Sequence, residues 1–147
     1  GQGVLKATDV VASVALRAGY DVKKSEIKGM SQRGGSVISD VRFGTAVLSP
    51  MVPEGEADFL VVLEPTQVEP HKHLLRPGGL LLGPEIIDGE QLANKRSFNV
   101  AMLGALSVHL PMPESDWLAV LAEQFPEKFH ESNKQAFLVG RQSQQTR

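Results

Sequence analysis

Two short runs of consecutive apolar residues limit the folds that this 147-residue chain can adopt. The first run, Phe59 to Leu63, follows Asp58, and the second, Leu80 to Leu82, ends at Gly83. Neither run alternates between apolar and polar residues, as a strand with one face in solvent would. We therefore predict two short strands buried on both faces, which are typical of a mostly parallel sheet covered by helices.

Helical and alternating patterns come before the first of these runs. From Val4 to Ala18 polar residues recur every three or four positions, which predicts a helix with one narrow polar face that Gly19 ends. A strand is expected over 20–27. The segment 36–43 alternates as a second strand, and Gly44-Thr45 is expected to turn it into an antiparallel partner at 46–49.

Helices dominate the rest of the chain. Asn99 and Ser115 are expected to cap two of them, and Pro126 to open a third. The order of elements predicts an α/β fold, a single Rossmann-like three-layer domain with a mostly parallel sheet and an antiparallel hairpin. We expect this domain to span residues 1–141 and a disordered tail to occupy 142–147, because the tail is polar and lacks apolar anchors.

Composition excludes several classes of protein. The chain has no cysteine, so it offers no thiolate for zinc, an iron–sulfur cluster or nucleophilic catalysis. Its formal net charge of -2 does not fit a general nucleic-acid binder. The apolar runs are far shorter than the roughly 20 residues of a membrane span. Composition leaves the cellular compartment open, although nothing indicates secretion, and we expect a protein that binds neither nucleic acid nor membrane.

The chain starts with Gly1-Gln2-Gly3, directly before the first predicted helix. If a strand preceded these residues, they would form the strand-to-helix turn at which doubly wound folds bind ligands. We expect such a leading strand to be missing from this sequence. Gln2 and Gly3 are candidate ligand contacts, but Lys6 stands where G-x-G-x-x-G has its third glycine, so a tight turn without a ligand is the alternative.

A loop rich in glycine, Lys-Gly-Met-Ser-Gln-Arg-Gly-Gly-Ser, occupies residues 28–36 between two predicted strands. Its consecutive amides could form a concave anion site, and Arg33 could grip a phosphate or carboxylate with two hydrogen bonds. The alternative is a plain strand connection in which Arg33 pairs with Asp40 or Glu26. The candidate contacts are Gln32, Arg33, Gly34, Gly35 and Ser36.

Other polar groups give weaker signals. His71 and His73 have a spacing that metal sites use on strands, but no pair of carboxylates lies near them in the sequence. An acidic cluster, formed by Glu54, Glu56 and Asp58, precedes the first predicted buried strand. Such a cluster is more often a charged segment that leads into a strand than an acid–base site. We therefore predict no metal site and no catalytic residue in this chain.

Characteristic short motifs are spread over nearly the whole chain. The most specific is Gly-Met-Ser-Gln-Arg-Gly-Gly-Ser at 29–36. The others lie at 1–4, 17–22, 49–50, 54–58, 63–65, 99–106 and 133–137. In these residues the chain resembles the small (beta) subunit of indolepyruvate ferredoxin oxidoreductase, within the gamma-domain family of pyruvate, 2-ketoisovalerate and other 2-oxoacid ferredoxin oxidoreductases.

The resemblance implies a subunit of an enzyme that oxidatively decarboxylates a 2-oxoacid such as an arylpyruvate. Coenzyme A captures the acyl group, and ferredoxin takes the electrons. Thiamine diphosphate, magnesium and iron–sulfur clusters are implied on a large partner subunit, with no cofactor bound by this chain alone. Residues Gln32 to Ser36, with Gln2 and Gly3 beside them, would contact coenzyme A or that subunit and help to close the site.

Two other functions stay open. The chain could be a free-standing dinucleotide-binding module, given its Gly-Gln-Gly start. It could also be a purely structural subunit whose glycine-rich loop fills an interface and binds no ligand of its own.

Overall fold

The computed structural model describes residues 2–28 and 37–145 of the chain. Two strands follow the first helix, and two more enclose a short helical segment before three helices complete the domain. The strands are β1 (Asp21–Lys28), β2 (Val37–Gly44), β3 (Ala57–Val61) and β4 (Leu75–Leu82). The helices are α1 (Gln2–Arg17), α2 (Val68–His71), α3 (Phe98–Ser107), α4 (Glu114–Gln124) and α5 (His130–Gln145).

Helix α1 ends as the sequence predicts. Gly19 has a φ of 97°, which only glycine adopts without strain, and its N–H donates to Leu16 O. The N–H of Tyr20 donates to Ala15 O at 3.0 Å, so the last turn closes in a Schellman motif. The chain therefore reverses tightly from α1 into β1.

Strands β1 and β2 form the antiparallel hairpin, with Asp21 opposite Gly44 and Lys28 opposite Val37. The prediction that β2 pairs with residues 46–49 is wrong. Those residues return along β2, but the side chain of Asp21 holds the N–H of Val47 where a strand would use its backbone. Pro50, which cannot donate to a ladder, follows at once.

Strands β3 and β4 pair in parallel, with Phe59 opposite Leu80 and Val61 opposite Leu82. The predicted apolar runs are thus neighbouring strands, although β4 begins at Leu75, ahead of its run. The expectation that both runs are buried on both faces is wrong, because only Val62 and Leu82 are buried and the other residues of both runs are half-buried. The described strands form two separate two-stranded sheets, and the α/β class with an antiparallel hairpin is confirmed.

The core lies between α1, α3, α4 and α5. Val100 to Ser107 of α3 are all buried. Large side chains at its centre include Trp117 and Phe137, both 0% exposed, with ring centroids 5.9 Å apart. This burial explains why α3 is apolar on every face.

Three helix boundaries differ from the sequence predictions. Ser97, not Asn99, precedes α3, and α4 follows Pro113 and includes Ser115. Helix α5 continues to Gln145, so residues 142–145 are helical and not a disordered tail. Among the described helices, none combines the length and apolar character needed to cross a membrane.

Candidate functional site

The glycine-rich loop predicted to contact a ligand lies outside the described residues, and with it lie Gln32, Arg33, Gly34, Gly35 and Ser36. The structure fixes the two positions that the loop joins, because Lys28 and Val37 are register partners at the end of the hairpin. The loop thus connects paired strand ends.

The other predicted contacts, Gln2 and Gly3, are the first residues of α1. Gly3 lies against Asn99 in the first turn of α3, and a Cβ atom on Gly3 would be 2.2 Å from Asn99 Nδ2. The first turns of two helices therefore meet. The N–H of Phe98 at the start of α3 already donates to Lys95 O of the preceding turn, so the polar group that α3 brings to Gly3 is the side-chain amide of Asn99.

A partly open cavity of about 590 Å³ lies beside this junction and is lined by residues of α1, β2, β3 and the second half of α3. Its walls are mainly apolar. The lining includes Val4, Ala7 and Val11 of α1, Val41 and Phe43 of β2, Phe59 and Val61 of β3, and Leu103 and Leu106 of α3. Such a lining suits an apolar group better than acid–base chemistry.

Several charged or polar residues at the cavity are held by other groups. Asp58 accepts a hydrogen bond from Arg76 Nε at 2.6 Å, and His109 Nε2 lies 2.9 Å from Gln144 Oε1. The Thr8 hydroxyl donates to Val4 O at 2.8 Å. These partners give each group a structural role in the described fold.

The outer face of the hairpin carries a second set of polar contacts. Asp40 Oδ2 accepts the N–H of Val52 at 3.0 Å, and Arg42 Nη1 donates to Met51 O at 3.1 Å. Asp40, offered above as one partner for Arg33, is thus engaged by the segment that follows β2. On the inner face of the hairpin, Lys24 of β1 lies opposite Val41 and forms an ion pair with Asp9 of α1.

The histidine pair does not gather metal ligands. His71 Nδ1 lies 2.8 Å from Gln67 O, and His73 Nε2 lies 3.5 Å from Glu54 Oε1. Over residues 2–28 and 37–145, no group of three or more His, Cys, Asp or Glu side chains is placed to hold a metal ion.

Helix α5 supplies contacts that the sequence reasoning did not assign. Asn133 Oδ1 accepts a hydrogen bond from the buried Ser97 hydroxyl at 3.2 Å. Gln135 accepts from Ala93 N–H at 3.0 Å and donates to Gln91 O at 2.7 Å. Together they hold the segment that leads into α3, and so they position Asn99. The family motif at 133–137 marks these residues in the sequence, but it does not indicate which groups Asn133 and Gln135 contact.

Comparison with known proteins gives one family. The model of the pyruvate ferredoxin/flavodoxin oxidoreductase family matches residues 1–86. The chain is 49% identical over 81 residues to indolepyruvate oxidoreductase subunit IorB of Thermococcus kodakarensis, covering 55% of this chain and 40% of that protein. The IorB subunit of Archaeoglobus fulgidus is 42% identical over 82 residues, 56% of this chain and 40% of the relative. The aligned part is thus less than half the length of these relatives.

Solved structures share the fold over nearly the whole chain. The gamma subunit of a keto/oxoacid ferredoxin oxidoreductase from Geobacter sulfurreducens has a TM-score of 0.74 at 20% identity, covering 99% of this chain and 94% of that one. The 2-oxoglutarate:ferredoxin oxidoreductase of Magnetococcus marinus was solved with 2-oxoglutarate, coenzyme A and succinyl-CoA bound. It has a TM-score of 0.80 at 20% identity, and the similarity covers 99% of this chain and 29% of that one. At these identities the similarity establishes the fold.

Proposed function

Because the chain belongs to the pyruvate ferredoxin/flavodoxin oxidoreductase family, we propose that it is a subunit of a cytoplasmic 2-oxoacid ferredoxin oxidoreductase. The observation that carries this proposal is its sequence identity to the IorB subunits, which favours indolepyruvate or another arylpyruvate as the substrate. In the proposed reaction a 2-oxoacid anion and coenzyme A give acyl-CoA, carbon dioxide and a proton, and the two electrons released reduce ferredoxin.

The chain's own residues do not fit the cofactors of such a reaction. It has no cysteine to ligate an iron–sulfur cluster. We therefore place thiamine diphosphate, magnesium and the clusters on a large partner subunit, where thiamine supplies the carbanion chemistry. The role of this chain is to dock on that subunit, to help exclude water from the site and to bind coenzyme A.

Co-expression with the large subunit encoded in the same genome tests the proposal. We expect the two chains to purify together and to reduce ferredoxin only when indolepyruvate and coenzyme A are both present. The isolated large subunit, assayed identically, is the control. Full activity of that subunit alone, or the absence of a complex, would contradict the proposal.

We assign coenzyme A contact to the glycine-rich loop and the start of α1, namely Gln32, Arg33, Gly34, Gly35, Ser36, Gln2 and Gly3. The junction of Gly3 and Asn99 supports this assignment, because the Asn99 side-chain amide, a hydrogen-bond donor that a phosphate can use, lies against Gly3. The coenzyme A bound to the similarly folded Magnetococcus marinus enzyme also supports it.

Calorimetry on the assembled enzyme tests this assignment. Replacing Arg33 by Ala should weaken coenzyme A binding by about tenfold, since a charged hydrogen bond to a phosphate is lost. Arg17→Ala, which removes an exposed arginine at the opposite end of α1 from Gly3, is the matched control and should leave the affinity unchanged. Equal affinities for the wild type and Arg33→Ala would remove the anion site from the proposal.

The two other functions predict different results. A free-standing dinucleotide module would bind NAD or FAD tightly as the isolated chain. For a purely structural subunit, shortening the loop 29–36 would abolish assembly of the complex, whereas loss of a coenzyme A site would weaken only the use of coenzyme A.

A further inference from the structure

Residues 46–52, named here the anchored loop, follow β2 and expose apolar side chains to solvent. Leu48 is 95% exposed and Met51 is 54% exposed. Val47 between the hairpin and Leu48 turns inward and is buried. Val47 thus attaches the loop to the domain, whereas the large side chains of Leu48 and Met51 contact water.

Both ends of the anchored loop are held by carboxylates of the hairpin. Asp21 Oδ2 accepts the N–H of Val47 at 2.8 Å, and Asp40 Oδ2 accepts the N–H of Val52 at 3.0 Å. A hydrogen bond to a charged group is about twice as strong as one between neutral groups. These two contacts fix the path of the loop across the outer face of the hairpin.

The middle of the loop is held in the same way. Arg42 Nη1 donates to Met51 O at 3.1 Å and lies 3.4 Å from Ser49 O. The Ser49 hydroxyl accepts the N–H of Met51 at 3.3 Å. The backbone that carries Leu48 and Met51 is therefore held by side chains of β1 and β2, in addition to the burial of Val47.

Order of this kind favours binding. Fixing a loop before association removes most of the conformational entropy that binding would otherwise cost. A few side chains that fill desolvated pockets of a partner provide most of the free energy of many protein interfaces. A single exposed apolar residue on a regular helix, such as Leu16 at 60% exposure, needs no such explanation.

We infer that the anchored loop is a docking element that inserts Leu48 and Met51 into an apolar pocket of the large subunit. The inference rests on the proposed function, which supplies that partner. Because Asp21, Asp40 and Arg42 already bond to the loop backbone, the pocket needs to match apolar shape and not charge. The partner surface is thus a concave apolar patch on a protein.

The test measures affinity between this chain and the large subunit by surface plasmon resonance. The double variant Leu48→Ser/Met51→Ser should raise the Kd by at least about tenfold, mainly through faster dissociation. Asp40→Ala keeps both apolar side chains but frees the loop, and it should raise the Kd by a smaller factor. The matched control Leu16→Ser removes an exposed leucine elsewhere and should stay within about twofold of the wild type.

The outcomes separate the two proposals. If the wild type binds the large subunit and the double variant binds it equally well, the docking inference is wrong and the proposed function stands. If the wild type does not bind at all, the proposed function fails and the inference fails with it. Equal unfolding midpoints of all variants in urea show that a change in affinity is not a folding defect.

Discussion

Where α3 crosses α5, two glycines bring the helix backbones into direct contact, whereas β2 and β3 line a partly open cavity of about 590 Å³. A Cβ atom on Gly104 would lie 2.0 Å from Phe137 O, and one on Gly140 would lie 1.8 Å from Ala101 O. Neither helix has room for another methyl group at these points.

The difference in packing separates the region that stabilises the fold from the region that carries the candidate binding surfaces. The helix pair is packed at the density of a protein interior, so its contribution to stability depends on every methylene. The strand side has spare volume, half-buried apolar residues and polar groups at its rim. It also carries the hairpin whose far end is joined by the glycine-rich loop. Stability is thus concentrated in α3 and α5, and the candidate binding surfaces lie on the strand side.

Truncating one phenylalanine on each side should give the largest contrast. Phe137→Ala leaves a cavity in the dense core and should cost about 4 kcal/mol of unfolding free energy. Phe59→Ala removes a half-buried ring that already borders the cavity, so its cost should be about 1–2 kcal/mol. Urea unfolding followed by circular dichroism measures both. Equal losses would show that the two regions are packed alike.

A single methyl group on the helix pair should have the next largest effect. Gly140→Ala forces the backbones of α3 and α5 apart, and we expect a loss of about 2–3 kcal/mol, although alanine is the better helix former. Gly89→Ala is the matched control, because a Cβ atom there would meet nothing within 4 Å. Its stability should stay within about 0.5 kcal/mol of the wild type. A neutral Gly140→Ala would contradict the close contact.

Local signals in the sequence predicted the elements well. The spacing of polar residues placed α1, Gly19 ended it, and the two apolar runs became paired parallel strands. The pairing of β2 failed, because alternation shows only that a segment is a strand and not which neighbour it joins. Gly44-Thr45 favoured the nearer partner, but β1 pairs across the longer connection.

The candidate site depended on contacts between distant parts of the chain. The sequence singled out Gly3 as a ligand contact, but its proximity to Asn99 follows from how α1 and α3 pack. The bonds from Asp21, Asp40 and Arg42 to residues 47–52 were also not predictable, since the alternation over 36–43 predicts a strand but not the partners of its side chains. The family motif at 29–36 carried information that local physical patterns do not contain.

Adding a methylene to each region should give the smallest effect, with opposite signs. Val61 borders the cavity, so the extra methylene of Val61→Ile can occupy empty space and should stabilise the fold by about 0.5–1 kcal/mol. Val120 of α4 is 2% exposed within the core, where Val120→Ile must displace neighbours and should cost about 1 kcal/mol or more. Both substitutions keep a β-branched side chain, so intrinsic propensity changes little, and urea midpoints give the sign directly. A stabilising Val120→Ile together with a destabilising Val61→Ile would reverse the assignment of dense and open packing.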